Sequence, residues 1–217
     1  GEALVEQGKE SPYGTFQNNI LGTLNILELS KMYNVSRIVV SSTVQVYGDA
    51  RPPTTEEVFT RPSRPYETSK TCADLIAQSY ADSYHLPVLI PRFVNIYGPG
   101  DTNFSRLIPK TIQSVLNGKD PTLCGGNAKR DFLFVDDAIQ AFMLLAQMED
   151  STIDKNRIFN FGTGGIISVR DLMQKIIRLA GAHTKIVMSK QGRDQEIAVQ
   201  YVIWAKAKKI LGWKPNV

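Results

Sequence analysis

Two apolar runs, RIVVSST at 37–43 and PVLIPRFV at 87–94, constrain this chain most, because each lacks the polar alternation of a half-exposed strand. Strands of that kind are covered on both faces, as in the parallel sheets of α/β proteins. Parallel neighbours need a crossover, and YETSKTCADLIAQSYADSYH (66–85) has the length and period of a helix that supplies one. Ahead of the first run, TFQNNILGTLNILELSKMY (15–33) spaces Ile20, Leu24, Leu27 and Leu29 helically, and Asn34 and Ser36 end the pattern. The helix, strand, helix, strand order predicts part of a doubly wound, Rossmann-like parallel sheet within an α/β fold.

After residue 100 the elements shorten. The pattern predicts helices at 106–118, 136–148 and 168–181, strands at 130–135 and 157–162, and a strand and turn at PTLCGG. Residues 1–100 therefore read as part of a doubly wound parallel sheet. Residues 101–217 read as a smaller α/β lobe, from which 136–163 is expected to pack back on the first sheet.

Composition excludes several classes. The net charge is +4 in 217 residues, and its cations are scattered, unlike the basic stripe with interleaved aromatics of a nucleic-acid binder. No apolar run is long enough to span a bilayer, and GEALVEQGKE lacks the pattern of a secretory leader. Cys72 and Cys124 stand far apart without a CxxC or a Cys/His cluster, which predicts reduced cytoplasmic thiols, no disulfide framework and no metal site.

The chemistry gathers at strand ends. Tyr66 and Lys70 are four residues apart, so a helix brings phenol and ammonium to one face. A cation there is expected to lower the phenol from its usual value of about 10, making a general base, while the same lysine is free to bond ribose hydroxyls. SSTVQVYGD (41–49) follows the first buried run and PRFVNIYGPGD (91–101) ends the second, which puts Thr43 and Asn95 where open α/β sheets bind ligands.

Taken in order, NNILGT, SSTVQVYGD, PYETSK, RFVNIYGPGD and KRDFLFVDD resemble the extended short-chain dehydrogenase/reductase family of sugar-nucleotide epimerases and dehydratases. PYETSKTCADLIAQSYADSYHLPV and GDTNFSRLIPKTI look most like the CDP-glucose dehydratases and CDP-sugar epimerases. The resemblance implies Tyr66 as catalytic base, Lys70 as its tuner and ribose ligand, and Thr43 as third member of a triad. It implies Asn18, Phe93 and Val94 at the cofactor, NAD or NADP, and Asn95 at the sugar. Asn103, Arg106, Arg130, Arg193 and Glu196 are expected to hold the nucleoside diphosphate or its ribose, a task that suits the bidentate guanidinium fork. It further implies a nucleotide-sugar substrate, CDP-linked by the subgroup likeness, and a homodimer.

Two positions bear on the reaction. Dehydratases of this family place an acid and a base after the threonine, whereas Val44 and Gln45 stand there in this chain. Valine carries no proton and glutamine is no acid or base near neutrality. Epimerase-type redox chemistry is therefore expected, with dehydration as the alternative. The dinucleotide fingerprint G-x-G-x-x-G opening a first strand–helix unit does not occur, and GTGGI (162–166) and CGGNAKRD read as turns. The chain is thus expected to be an internal piece of a longer enzyme, or else a non-catalytic remnant that assembles through an open sheet edge.

Overall fold

The computed structural model describes residues 1–125, 128–189 and 197–217. Helices α1 (Val5–Glu10) and α2 (Pro12–Phe16) lead through one π-turn (Gln17–Leu21) into α3 (Gly22–Met32). Strands β1 (Ile38–Val39) and β2 (Ser42–Thr43), a 3-10 turn (Val44–Tyr47), α4 (Pro65–Tyr84), β3 (Val88–Phe93) and β4 (Asn95–Tyr97) follow. Next come α5 (Leu107–Leu116), β5 (Thr122–Leu123), β6 (Lys129–Arg130), β7 (Phe132–Phe134), α6 (Val135–Ala146), α7 (Asp150–Ile153) and β8 (Ile158–Phe161). The described chain closes with β9 (Ile167–Ser168), α8 (Val169–Leu179), β10 (Val187–Met188), β11 (Val199–Gln200) and α9 (Ala205–Leu211).

The main sheet is parallel, with β3 at its centre. β1 and β2 lie on one side of it and β8 on the other. All six β3 residues are buried, five of them apolar and the sixth, Arg92, paired with Asp74. The run 37–43 forms two short strands rather than one, because ladder pairs join Ile38 and Val39 to Val88 and Leu89, then Ser42 and Thr43 to Arg92 and Phe93. Pro91 lies between those pairs and has no N–H to donate, so the ladder lapses for two residues.

Both faces of the sheet are covered. On one, Leu27 of α3 and Ala77 and Ala81 of α4 pack on Ile38, Val88 and Ile90. The alanines at four-residue spacing let the α4 backbone approach closely. On the other, Phe93, Phe159 and Phe161 meet α6 and the C-terminal Trp213, whose ring is fully buried edge-on to Phe161 at 5.0 Å. The Trp213 indole N–H donates to the Asp137 carbonyl at 3.0 Å, which fastens the end of the described chain to the start of α6.

Smaller pairings set the remaining strands. β4 runs parallel to β7, and β6 lies between β11 and β9. The expected helix over 15–33 is interrupted by the π-turn at Asn19, and the Thr23 hydroxyl donates back to the Asn19 carbonyl at 2.7 Å.

Candidate active site

β2 and β3 run parallel in register, so Thr43 and Phe93 end at one level, the carboxyl edge where such sheets take ligands. Beyond that edge the chain turns twice. After Thr43 it enters the 3-10 turn, which the Thr43 hydroxyl caps by accepting from the Gln45 N–H at 3.3 Å, and after Phe93 it enters β4. The two turns and the first turn of α4 enclose a cleft of about 400 Å3 lined by Ser41, Thr43, Gln45, Tyr66, Val94 and Asn95 among others.

Helix α4 presents the phenol and the ammonium. Pro65 occupies its first turn, where a missing N–H costs nothing, and Tyr66 follows at 8% exposure. Gly8 of α1 lies against it so closely that a Cβ there would come within 3.0 Å of the Tyr66 Cβ. Tyr66 and Thr43 line the cleft together, and Lys70 Nζ donates to the Ser41 carbonyl at 2.6 Å. Tyr66, Lys70 and Thr43 thus converge on the strand end.

The electrostatics differ from the expectation drawn from spacing. Burial pushes the Tyr66 phenol up to about 12; Arg106 and the Thr43 hydroxyl pull it down, and Glu2 and Glu67 add to the rise. Burial likewise lowers the Lys70 ammonium, opposed by the charge of Asp74. In the unliganded protein desolvation therefore outweighs the cations, and Tyr66 is a neutral phenol near neutral pH.

A second cavity of about 230 Å3 adjoins the cleft and shares Gln45, Asn95, Arg106 and Phe132 with it. Arg130 lines its far side, beside the buried pair in which Arg64 donates to Glu67 at 2.8 Å. Arg106 also pairs with Asp101 at 3.3 Å, and Asn95 donates to the Asp131 carbonyl at 3.3 Å. Asp131 is fully buried, and its carboxylate accepts from Thr163 N–H and hydroxyl and from Gly164 N–H, which locks GTGG to the strand segment that follows Arg130.

Other expected residues sit differently. Asn103 spends its side chain on its own turn, accepting from the N–H and hydroxyl of Ser105. Val44 is 2% exposed within the core, while Gln45 faces both cavities. Arg193 and Glu196 lie outside the described residues. Asn18 is exposed, and its neighbour Asn19 is the buried one, at 3%. Asn19 donates to Ser69 Oγ at 2.8 Å, and Ser69 donates in turn to the Tyr66 carbonyl at 2.7 Å, so Asn19 braces the first turn of α4. The sequence carried a signal for it: Thr15, Asn19, Thr23 and Leu27 form a four-residue stripe, and Asn18 is off it.

The profile of the NAD dependent epimerase/dehydratase family matches residues 1–162. The chain belongs to that family. It is 34% identical over 177 residues to a dTDP-D-glucose 4,6-dehydratase of Dictyostelium discoideum, covering 76% of this chain and 40% of the relative. A UDP-glucose 4-epimerase from Thermotoga maritima, solved with UDP-glucose, superposes at a TM-score of 0.92 with 28% identity, covering 100% of this chain and 70% of that one. A dTDP-glucose 4,6-dehydratase from Streptomyces venezuelae, solved with NAD, gives 0.90 with 26% identity over 100% and 66%. Three curated relatives are spanned over 40%, 63% and 65% of their length. The family is NAD-dependent, its members are enzymes, and the fold is theirs.

The cleft suits the nicotinamide end of the family's cofactor. Lys70 commits one N–H to the Ser41 carbonyl at the strand end, and Phe93 and Val94 give the cleft an apolar wall. Among the described residues there is no cluster that could hold a metal ion, and no helix is long and apolar enough to cross a membrane.

Proposed function

We propose that this chain carries the redox centre of an NAD-dependent nucleotide-sugar 4-epimerase. Once the positive charges of the bound nicotinamide and of Lys70 have offset burial and ionised its phenol, Tyr66 takes the proton of a sugar hydroxyl and later returns it, Thr43 bonds the same oxygen, and Lys70 holds the cofactor's ribose and stabilises the phenolate. NAD would supply the hydride acceptor and donor at the hydroxyl-bearing carbon. Arg106 and Arg130 clamp the diphosphate, with Asn95 at the hexose, which puts the redox residues and one sugar contact in 1–100 and the diphosphate clamp in 101–217.

The observation that carries the epimerase reading is Gln45 in the cleft with Val44 withdrawn into the core. Elimination of water needs a proton donor and a base beside the transient ketone, and neither side chain supplies one. The named relatives include both UDP- and dTDP-sugar enzymes, which favours a uridine or thymidine nucleotide over cytidine. Ile26, Leu29 and Met32 of α3, with Leu75 and Tyr84 of α4, leave an exposed apolar face, and we assign it to pairing with a second copy. Two free, half-buried thiols fit a reducing, cytoplasmic setting.

The test is incubation with NAD and, separately, UDP-, dTDP- and CDP-glucose, with products read by proton NMR. The expected product is the 4-epimer from one pyrimidine nucleotide, lost in Tyr66→Phe. A 4-keto-6-deoxy product would instead establish dehydration.

A further inference from the structure

Tyr66, Lys70 and Asp74 are spaced by four along α4, so they form one stripe over the end of β2. The first two belong to the redox centre; the third is fully buried and has no place in the chemistry just described. Its carboxylate nonetheless accepts four hydrogen bonds: from Ser42 Oγ at 2.6 Å, Gln78 Nε2 at 2.7 Å, and Arg92 Nε and Nη2 at 2.9 Å each. Arg92 passes the chain on, donating to Tyr47 OH at 3.0 Å, and that hydroxyl donates to Asn160 Oδ1 at 2.7 Å.

Ser42 gives this network its meaning. It stands between Ser41, whose carbonyl receives Lys70 Nζ, and Thr43, which lines the cleft with Tyr66. By gripping Ser42, Asp74 fixes the middle of a tripeptide that holds Lys70 at one end and carries Thr43 at the other. Packing alone would not call for ions here, since a buried pair is often matched in stability by apolar residues of similar volume. A carboxylate one turn from a half-buried ammonium does what an apolar residue cannot, because it offsets the cost of keeping that ammonium charged.

We propose that Asp74 is a positioning residue of the redox centre, holding the strand end that receives Lys70 and supplying the negative charge that faces it. The inference rests on the assignment of Tyr66, Lys70 and Thr43 above. The other ionisable groups around the stripe are Arg92 from β3, Tyr47 from the 3-10 turn, and Glu2, Glu67 and Arg106 at the Tyr66 end. Of these charges, the Asp74 carboxylate, one turn along the same helix, is the one that holds Lys70 up against its burial.

The test follows Lys70 itself, in the full chain, by pH titration of lysine 13Cε resonances, with the Lys70 signal assigned by its loss in Lys70→Arg. Asp74→Asn alone strands the Arg92 charge and risks unfolding, so the decisive comparison is Arg92→Met against Asp74→Asn/Arg92→Met. These differ only in the carboxylate charge. Arg92→Met is expected to leave Lys70 at or above its wild-type titration point, and the double variant to bring it down by about one pKa unit or more. A folded double variant in which Lys70 titrates within about 0.3 unit of Arg92→Met overturns the proposal, about 0.3 unit being far below the effect of an adjacent charge. The measurement needs no turnover. A Lys70 shift without epimerase activity in the wild type would sink the proposed function and leave the positioning role standing, while activity with an unmoved Lys70 would do the reverse.

Discussion

Tyr66→Phe removes a phenol that burial holds at about 12, two units above its ordinary value. At 1.36 kcal/mol per unit, the neutral form is favoured in the folded protein by about 3 kcal/mol. The sign follows from proton binding: between pH 10 and 12 the folded chain retains this proton and the unfolded chain has lost it. Stability from this group is complete below pH 10 and declines as pH rises toward 12. At pH 10.5 the loss already amounts to roughly 0.8 kcal/mol, and Tyr66→Phe escapes it. Two assays read the same quantity. In the phenolate absorbance difference between wild type and Tyr66→Phe at pH 10.5, an ordinary tyrosine would be about three-quarters ionised, whereas Tyr66 is expected to be only about 3% ionised. In urea unfolding, raising pH from 8 to 10.5 should cost the wild type roughly 0.8 kcal/mol more than Tyr66→Phe. A full phenolate signal from Tyr66 by pH 10.5 would refute the reasoning, because the cations would then outweigh desolvation in the unliganded site.

Four further outcomes are expected. Gly8→Ala pushes a methyl to within 3.0 Å of the Tyr66 side chain, and should lower thermal stability by about 1–3 kcal/mol as an overpacked contact while slowing turnover more than it alters substrate affinity. Asn19→Ala unties Ser69 from the π-turn and should cost about 1 kcal/mol in denaturant titration, with faster amide exchange in the first turn of α4. Asp131→Ala leaves three part-buried donors from Thr163 and Gly164 without their acceptor; urea unfolding should show a loss of roughly 1–3 kcal/mol, and an unchanged midpoint would contradict that account. Arg106→Met and Arg130→Met should each weaken calorimetrically measured UDP-glucose binding by about tenfold, the worth of one charge-assisted contact.

The main sheet was legible because its strands are unambiguous: β3 is apolar but for Arg92, and a parallel setting buries both faces of such a run. The interruption between β1 and β2 could have been read as well, since Pro91 removes the one donor that would have bridged it. Short strands such as β10 and β11 were not legible; two residues leave no periodicity, and their pairing with β5 and β6 is set by contacts distant in sequence. In the site, spacing put Tyr66 and Lys70 on one helical face. It could not reveal that the phenol is more buried than the ammonium, which reverses the direction of its shift. The choice between Asn18 and Asn19 turned on helical phase, where a one-residue slip moves a side chain by 100° from the buried face to solvent. The network around Asp74 was beyond the sequence because its partners Ser42, Gln78 and Arg92 come from three separate elements.

The most direct test of the central claim is the fate of the hydrogen on the oxidised carbon. With UDP-glucose deuterated at C4 and with NAD present, the account predicts a 4-epimer that keeps the deuterium at C4, since the hydride leaves and returns to the same atom. Deuterium recovered at C6 of a 4-keto-6-deoxy sugar would contradict it, and would mean that some group other than Val44 and Gln45 supplies the proton transfers of dehydration.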